Sequence, residues 1–207
     1  MKGESVTPNR LHIIRQNLYC MNMQQVTFRQ GRPEDSDAAC SLIGSQILSS
    51  PLFLKPLKQL FSQIPQNGEA VIAQSGGKAI GAAAAIRGLA YSNGKTDFFT
   101  EMQGDFPGED LWTIIDIAVS PDFRGMKIGS ELFSRMLQAL KDRGCRHAMM
   151  EIWVRSNGWA PARNLVHLAP GFRSYGILDD FYIDDPFPCD FCHGECHCKA
   201  EVVVLDL

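Results

Sequence analysis

The chain has 207 residues, of which 45% are hydrophobic and 21% are charged, the balance of a folded globular protein rather than of a disordered one. Its formal net charge of −3 argues against a surface that binds nucleic acid. A membrane-spanning helix needs about 20 consecutive apolar residues, and no segment of the sequence approaches that length. Four of the seven cysteines lie within residues 189–198, which favours a metal site in a reducing compartment over a disulfide framework. Because the N-terminal stretch also lacks the apolar segment of a secretory signal, we predict a cytoplasmic location.

The N-terminal part of the chain divides into a weakly patterned segment and the start of a domain. Residues 1–23 show little periodicity, so we predict an N-terminal extension followed by one domain over residues 24–207. Val26 and Phe28 alternate with polar residues, which predicts a first strand at residues 25–30.

The next segments predict two helices and a hairpin. Pro33 and the acidic residues after it mark a helix start, and a second helical stretch covers residues 53–64. Apolar runs on either side of Gly76 and Gly77 predict a hairpin, whose second strand contains a run of alanines that suits close helix packing. Residues 88–110 hold five acidic residues against one lysine. We predict a solvated loop there, and the alternative is a loop that attracts cations.

The most informative stretch is an apolar strand, a glycine-containing loop and an amphipathic helix in direct succession. Residues 111–119 are rich in β-branched side chains, and Pro121 ends the strand. A loop with Gly125 and Gly129 follows, and Gly144 ends the helix after it. The helix has one apolar face, formed by Ile128, Leu132, Phe133, Met136, Leu137 and Leu140. A strand, a glycine loop and a helix N-terminus in this order are suited to holding phosphates.

Residues 119–129, VSPDFRGMKIG, resemble the coenzyme A pyrophosphate loop of the GNAT superfamily of N-acetyltransferases. The pattern in that superfamily is Arg/Gln-x-x-Gly-x-Gly/Ala after a strand. Arg124 and Gly129 match the pattern, whereas Lys127 stands where the middle glycine usually is. The resemblance implies an α/β (α+β) GNAT fold with a mixed, mostly antiparallel sheet of six to seven strands flanked by about four helices.

The resemblance continues through the next strand, predicted at residues 146–154. Arg155-Ser156-Asn157 and Gly171-Phe172 match the later part of the superfamily pattern, with a short helix predicted between them at residues 161–168. Residues 172–183 and 201–207 are predicted as the last two strands.

The resemblance implies a set of acetyl-CoA-binding residues. Backbone groups of Ile117, Ala118 and Val119 would pair with the pantetheine arm. The remaining implied contacts come from Arg124, Gly125, Met126, Lys127, Ile128, Gly129, Ser130, Asn157 and Asn164.

Acid–base residues follow from the resemblance and from the chemistry of acetyl transfer. Counting back from Gly171-Phe172, His167 falls on the tyrosine position of the superfamily and would protonate the leaving thiolate, with Tyr175 as the reserve candidate. Asp116 and Glu151 lie among apolar neighbours on the two central strands, where burial raises a carboxyl pKa towards that of a useful base. Each of these residues also has a purely structural interpretation, and a water chain is an equally good base.

Cys189, Cys192, Cys196 and Cys198 form a second motif, with spacing C-x2-C-x3-C-x-C. Four thiolates within ten residues suit tetrahedral Zn²⁺, and we predict a structural zinc site in an insertion over residues 186–199. His193 or His197 is an alternative to one thiolate. A redox-active thiol cluster and an iron–sulfur cluster are the other interpretations.

Together these observations predict an acetyl-CoA-dependent N-acetyltransferase in which a primary amine attacks the thioester directly in a ternary complex. The acceptor is a small-molecule or protein amine, no nucleic acid or membrane is expected as a partner, and homodimer formation is left open. Two alternatives remain: a non-catalytic acyl-CoA-binding or sensor domain, and a metal-stabilised protein-interaction module.

Overall fold

The structure is a computed structural model that describes residues 26–46, 51–89, 96–106, 111–169, 171–183, 189, 191–192 and 194–207. The predicted N-terminal extension, residues 1–23, lies outside these ranges. The strands are β1 (Val26–Gln30), β2 (Gly68–Ser75), β3 (Lys78–Arg87), β4 (Leu111–Val119), β5 (His147–Val154), β6 (Arg173–Leu178) and β7 (Lys199–Asp206). The α-helices are α1 (Ser36–Gln46), α2 (Pro51–Ser62), α3 (Thr96–Asp105), α4 (Ile128–Asp142) and the single turn α5 (Arg163–Val166). None of the described helices is long and apolar enough to cross a membrane.

All seven strands form one sheet in the order β1-β2-β3-β4-β5-β7-β6. Among the described strands, β4 and β5 are the one parallel pair, and the others pair antiparallel. The predicted mixed, mostly antiparallel sheet is therefore confirmed. The predicted hairpin is also present, since Gly76 and Gly77 join β2 to β3 with φ angles of 57° and 77°, the left-handed conformation of a type I′ turn.

Helices cover both faces of the sheet. On one face, α1 and α2 pack through Ile43, Leu57 and Phe61, while on the other face α4 packs through the apolar side chains predicted from its periodicity. The alanine run of β3, residues 82–85, is fully buried between these layers. Because alanine side chains are small, the helices approach the sheet closely, as predicted.

The acidic segment at residues 88–110 differs from the predicted solvated loop, because it contains α3. Phe99, Met102 and Phe106 recur at intervals of three and four residues and are buried against Phe181 and the β7 side chains. Six residues of α3 are exposed instead, among them Glu101 and Asp105. The aromatic face thus outweighs the acidic composition, and α3 covers the part of the sheet that α1 and α2 leave open.

Candidate functional site

The two central strands separate halfway along their length. The β4–β5 ladder joins Leu111–Ile114 to residues 147–150. Beyond that point β4 continues to pair with β3 on its other side, and β5 continues to pair with β7. The β3–β4 register shifts where Ala84 faces Asp116 and Ala85 faces Ile114, so Ile115 is the extra residue of a β-bulge. A V-shaped split therefore opens between the second halves of β4 and β5.

The loop after β4 brings a helix N-terminus to this split. A 3₁₀ turn at Pro121–Phe123 is followed by Gly125 and Lys127, with φ angles of 76° and 59°, and α4 begins at Ile128. The positive φ of Lys127 lies in the left-handed region that favours glycine. Among the described residues no side chain caps this terminus, and the first N–H groups of a helix have no partner within it. The N-terminus of α4 is thus suited to an anion.

Asp116 and Glu151 lie on opposite arms of the split and on the same face of the sheet, the face covered by α1, α2 and α3. Strand alternation places Asp116 with Ala118, which packs in the α1–α2 cluster, and Glu151 with Met149, which packs under α3. Asp116 is only 7% exposed, and its Oδ2 has no hydrogen-bond partner within the described ranges. Burial, and next the charge of Glu151, raise the pKa of Asp116 well above its usual value. The structure therefore brings these two predicted residues together.

Tyr182 contacts one member of this pair, although no sequence pattern pointed to it. Its hydroxyl donates a hydrogen bond to Oε1 of Glu151. Its ring packs edge-on against Trp153, with the ring centroids 6.1 Å apart, and against Phe181 at 5.0 Å. Tyr182 lies in the turn after β6, so no local spacing linked it to β5.

The other predicted polar residues lie farther from the carboxylates. His167 is exposed at the end of α5, which packs on the α4 side of the sheet, and Asn164 is exposed on the same turn. Asn157 accepts a hydrogen bond from the backbone N–H of Trp159 at 3.0 Å. Tyr175 lies on β6, two strands from β5, where its hydroxyl donates to Asp105 at 2.5 Å and this bond raises the pKa of Tyr175 to about 12. The structure therefore does not place Tyr175 at the split.

The four predicted cysteines converge to form a compact cluster. The Sγ atoms of Cys189, Cys192, Cys196 and Cys198 all lie within 4.8 Å of one another. Cys198 is 3.8 Å from both Cys189 and Cys192, which is about the edge of a tetrahedron with Zn–S bonds of about 2.3 Å. A disulfide would require about 2.05 Å. The arrangement therefore fits a tetrahedral metal.

Backbone groups and burial set the ionisation of these thiols. A backbone hydrogen bond from His197 is the largest cause that lowers the pKa of Cys192, to about 7, whereas burial raises the pKa of Cys196 and Cys198. The Nδ1 atom of His197 is 3.0 Å from Asp180, which raises the pKa of the imidazole. The four cysteines form the better ligand set, because their Sγ atoms converge within 4.8 Å and His197 does not belong to that group. His193 lies outside the described residues.

A guanidinium group lies beside the cysteine cluster. The Cζ atom of Arg155 is 3.8 Å from the ring centroid of Trp159 and 3.2 Å from that of Phe191, and its buried Nε has no hydrogen-bond partner in the part of the chain that the structure describes. Burial lowers the pKa of Arg155, while Cys198 and Cys189 oppose this. A cation at this position would offset the excess negative charge of a metal bound to four thiolates.

Comparison with known proteins gives a consistent result for family and fold. The model of the acetyltransferase (GNAT) family matches residues 43–169, more than half of the chain. No curated protein matches the sequence.

Solved structures of similar fold span nearly the whole chain. A GNAT family acetyltransferase from Elizabethkingia anophelis with acetyl-CoA bound is 19% identical with a TM-score of 0.56, covering 88% of this chain and 99% of that one. The ribosomal-protein-S18-alanine N-acetyltransferase from Escherichia coli is 17% identical with a TM-score of 0.58, covering 87% and 93%. The NatC complex bound to Gag peptide and CoA gives 17% identity and a TM-score of 0.62, covering 88% and 99%. At these identities the likeness concerns the fold.

Proposed function

Because this chain belongs to the GNAT family of acetyltransferases, we propose that it transfers an acetyl group from acetyl-CoA to a primary amine. The observation that carries the proposal is the split between β4 and β5, which has the N-terminus of α4 at its mouth and the two carboxyl groups of Asp116 and Glu151 on one face. A thioester placed in the split would lie between a site for phosphates and a site for a base. These are the two sites that the reaction requires.

Acetyl-CoA would bind along the free edge of β4 and the start of α4. The backbone of Ile117, Ala118 and Val119 pairs with β3 on one side, and we propose that its other side pairs with the pantetheine arm. The backbone N–H groups from Gly125 to Ser130 would surround the pyrophosphate. Arg124 and Lys127 are exposed and add positive charge there.

In the proposed reaction the neutral amine nitrogen attacks the thioester carbonyl carbon, and the C–S bond then breaks. The proton lost by the amine passes to the Glu151 carboxylate. Asp116 holds its own proton, because burial raises its pKa well above the usual value, so it would donate a hydrogen bond in the split. The coenzyme A thiolate leaves and takes a proton from His167. No covalent acetyl-enzyme forms, since both substrates are bound together.

The acceptor is proposed as a small-molecule or protein amine. The Glu151 carboxylate in the split, together with exposed acidic residues on α3, favours a cationic amine in solution. The E. coli neighbour is named for an alanine of ribosomal protein S18, and NatC was solved with a peptide, which makes a protein amine worth testing first.

We also propose that the cysteine cluster binds structural Zn²⁺ within a domain that spans residues 24–207. The Sγ separations fit a tetrahedral site, and four protein ligands leave no open position for catalysis. Thiolates that hold zinc persist in a reducing compartment, which supports a cytoplasmic location. Elemental analysis of the purified protein should find about one zinc per chain.

A non-catalytic acyl-CoA sensor is the second candidate function. It is favoured by Lys127 and His167, which replace the glycine and the tyrosine that the GNAT pattern usually contains. This candidate predicts acetyl-CoA binding without turnover.

Calorimetric titration with acetyl-CoA, followed by an acceptor screen with free thiol as the readout, tests the proposal. Saturable binding that weakens about tenfold in Arg124→Ala supports cofactor binding at the α4 terminus. Turnover with an amine then separates the enzyme from the sensor. A folded, zinc-loaded protein that does not bind acetyl-CoA would refute both.

A further inference from the structure

The cysteine cluster contacts the outer end of β5, beyond the point where β5 parts from β4. Trp153 packs directly on the buried cysteines. The Oγ atom of Ser156 is 4.0 Å from the Cys192 thiol, and the backbone of Ser156 hydrogen-bonds to the Cys198 thiol. These contacts support β5 where the neighbouring strand β4 no longer does.

The same cluster is tied to the turn that carries Tyr182. The carboxylate of Asp180 is 3.0 Å from Nδ1 of His197, and that of Asp179 is 2.6 Å from Nζ of Lys199. The ring of Tyr182 itself packs against the cysteines. Ion pairs between exposed groups contribute little energy by themselves. The turn is therefore oriented mainly through its aromatic contact with the cluster.

Tyr182 connects the cysteine cluster to the carboxylate pair. Its hydroxyl donates to Glu151, and its ring rests on Trp153, two residues further along the same face of β5. Glu151 pairs through its backbone with Val202 on the β7 side only, since the β4–β5 ladder has ended at residue 150. The Tyr182 hydroxyl thus restrains a side chain that faces an open split.

We propose that the metal-loaded cysteine cluster acts as a brace for the catalytic split and that Tyr182 is the positioning residue through which it acts. The cluster fixes the end of β5 and the Tyr182 turn, and Tyr182 holds the Glu151 carboxylate opposite Asp116. This inference rests on the proposed acetyl transfer. It differs from a purely folding role for zinc, because it links metal occupancy to turnover and separates turnover from cofactor affinity.

Tyr182→Phe removes the hydroxyl and keeps the ring that packs on the cysteines. In the zinc-loaded protein we expect kcat to fall about tenfold or more, with the acetyl-CoA dissociation constant unchanged within about twofold. Tyr175→Phe is the matched control, because Tyr175 also donates its hydroxyl to a carboxylate on the same face of the sheet but outside the split. It should leave both constants unchanged. Equal losses of acetyl-CoA affinity and kcat in Tyr182→Phe, or no loss in either, would overturn the proposal.

Zinc removal tests the other half of the brace. Chelation should lower kcat in the parent protein, and zinc should restore it, whereas in Tyr182→Phe chelation should cause little further loss because the connection is already broken. The proposal would be contradicted if chelation lowered kcat by the same factor in Tyr182→Phe as in the parent, so that the two losses multiplied. Cys196→Ser provides a second route to the metal-depleted protein, with far-ultraviolet circular dichroism to confirm that it is folded.

Hydrogen exchange keeps this inference distinguishable from the proposed function. Zinc removal should speed amide exchange at residues 153–156 and 179–182 and leave the hydrogen-bonded amides of α4, from Glu131 onwards, protected as before. This pattern supports the brace even if no acceptor is turned over, a result that would refute only the acetyltransferase proposal. Uniform loss of protection across both regions, or none in either, would refute the brace whatever the activity.

Discussion

A buried ion pair on the α4 side of the sheet allows a sharp test of the packing. The carboxylate of Glu69, on β2, has 1% of its side chain exposed and accepts a hydrogen bond from Nε of Arg143 at 2.5 Å. The same guanidinium donates to the carbonyl of Pro65 at 2.6 Å. Glu69 also accepts longer hydrogen bonds from Nε2 of Gln30, at 3.2 and 3.3 Å to its two oxygens, and from the backbone N–H of Ala70 at 3.2 Å.

Within the described part of the chain, Arg143→Met would leave the buried Glu69 carboxylate with its Gln30 and Ala70 contacts. Removal of one partner of a buried pair costs about 3–5 kcal/mol, and the remaining donors place the expected loss of unfolding free energy at about 3 kcal/mol. For a chain of this length that lowers the midpoint of thermal unfolding by about 6–12 °C. Urea unfolding of the zinc-loaded protein measures the loss directly.

Two further variants decide whether the buried charge of Glu69 causes the loss of stability. Arg135→Met removes an exposed pair on the same helix, whose partner is Glu131, and should cost about 0.5 kcal/mol. Adding Glu69→Gln to Arg143→Met removes the unpaired charge and should recover about 2 kcal/mol. The reasoning fails if Arg143→Met costs no more than the exposed control, or if the double variant is less stable than Arg143→Met.

Three more predictions concern the split and the cluster. Lys127→Gly relieves the strain of the left-handed backbone and should raise the free energy of unfolding by about 0.5 kcal/mol after the entropy of glycine is subtracted. Because the variant also loses a positive charge, its acetyl-CoA affinity should fall about threefold. A variant that is less stable in urea than the parent would contradict this prediction. Because the pKa of Asp116 is raised, the folded protein keeps a proton that the unfolded chain releases above about pH 4. The stability of Asp116→Asn relative to the parent should therefore increase by up to about 1.4 kcal/mol for each pH unit from pH 4 towards 7. A stability difference that does not vary with pH argues against a buried, protonated carboxyl. Chelation should lower the thermal midpoint, with recovery on adding Zn²⁺ but not Mg²⁺, and recovery with Mg²⁺ would exclude a thiolate site.

Local patterns predicted the elements whose cause is local. The helix face from Ile128 to Leu140 follows from residue spacing alone, and all six predicted side chains are buried. The turn at Gly76 and Gly77 follows from the φ angles that glycine permits. Where long-range contacts compete, the boundaries shift: the strand predicted at residues 172–183 ends at Leu178, because Asp180 takes a positive φ and contacts His197 instead.

The helix α3 was missed for a related reason. Its ten residues are too few to form a stable helix in isolation, and its acidic composition indicates a solvated loop. The helix forms against a surface supplied by β7 and by Phe181, which lies 82 positions after Phe99 in the chain. A pattern confined to residues 88–110 contains no information about that surface.

The sequence by itself determined the strand, glycine loop and helix that suit acetyl-CoA, the mixed α/β class, and a group of cysteines suited to a metal, since each depends on residue types at short spacing. Only the tertiary structure decided where β4 and β5 part, that Asp116 and Glu151 face each other there, and that Tyr182 links them to the cysteine cluster. The physical reason is that these residues lie far apart along the chain. The Tyr182 bond to Glu151 spans 31 positions and the Cys192 contact with Ser156 spans 36, so these contacts exist only after the sheet has brought distant strands together.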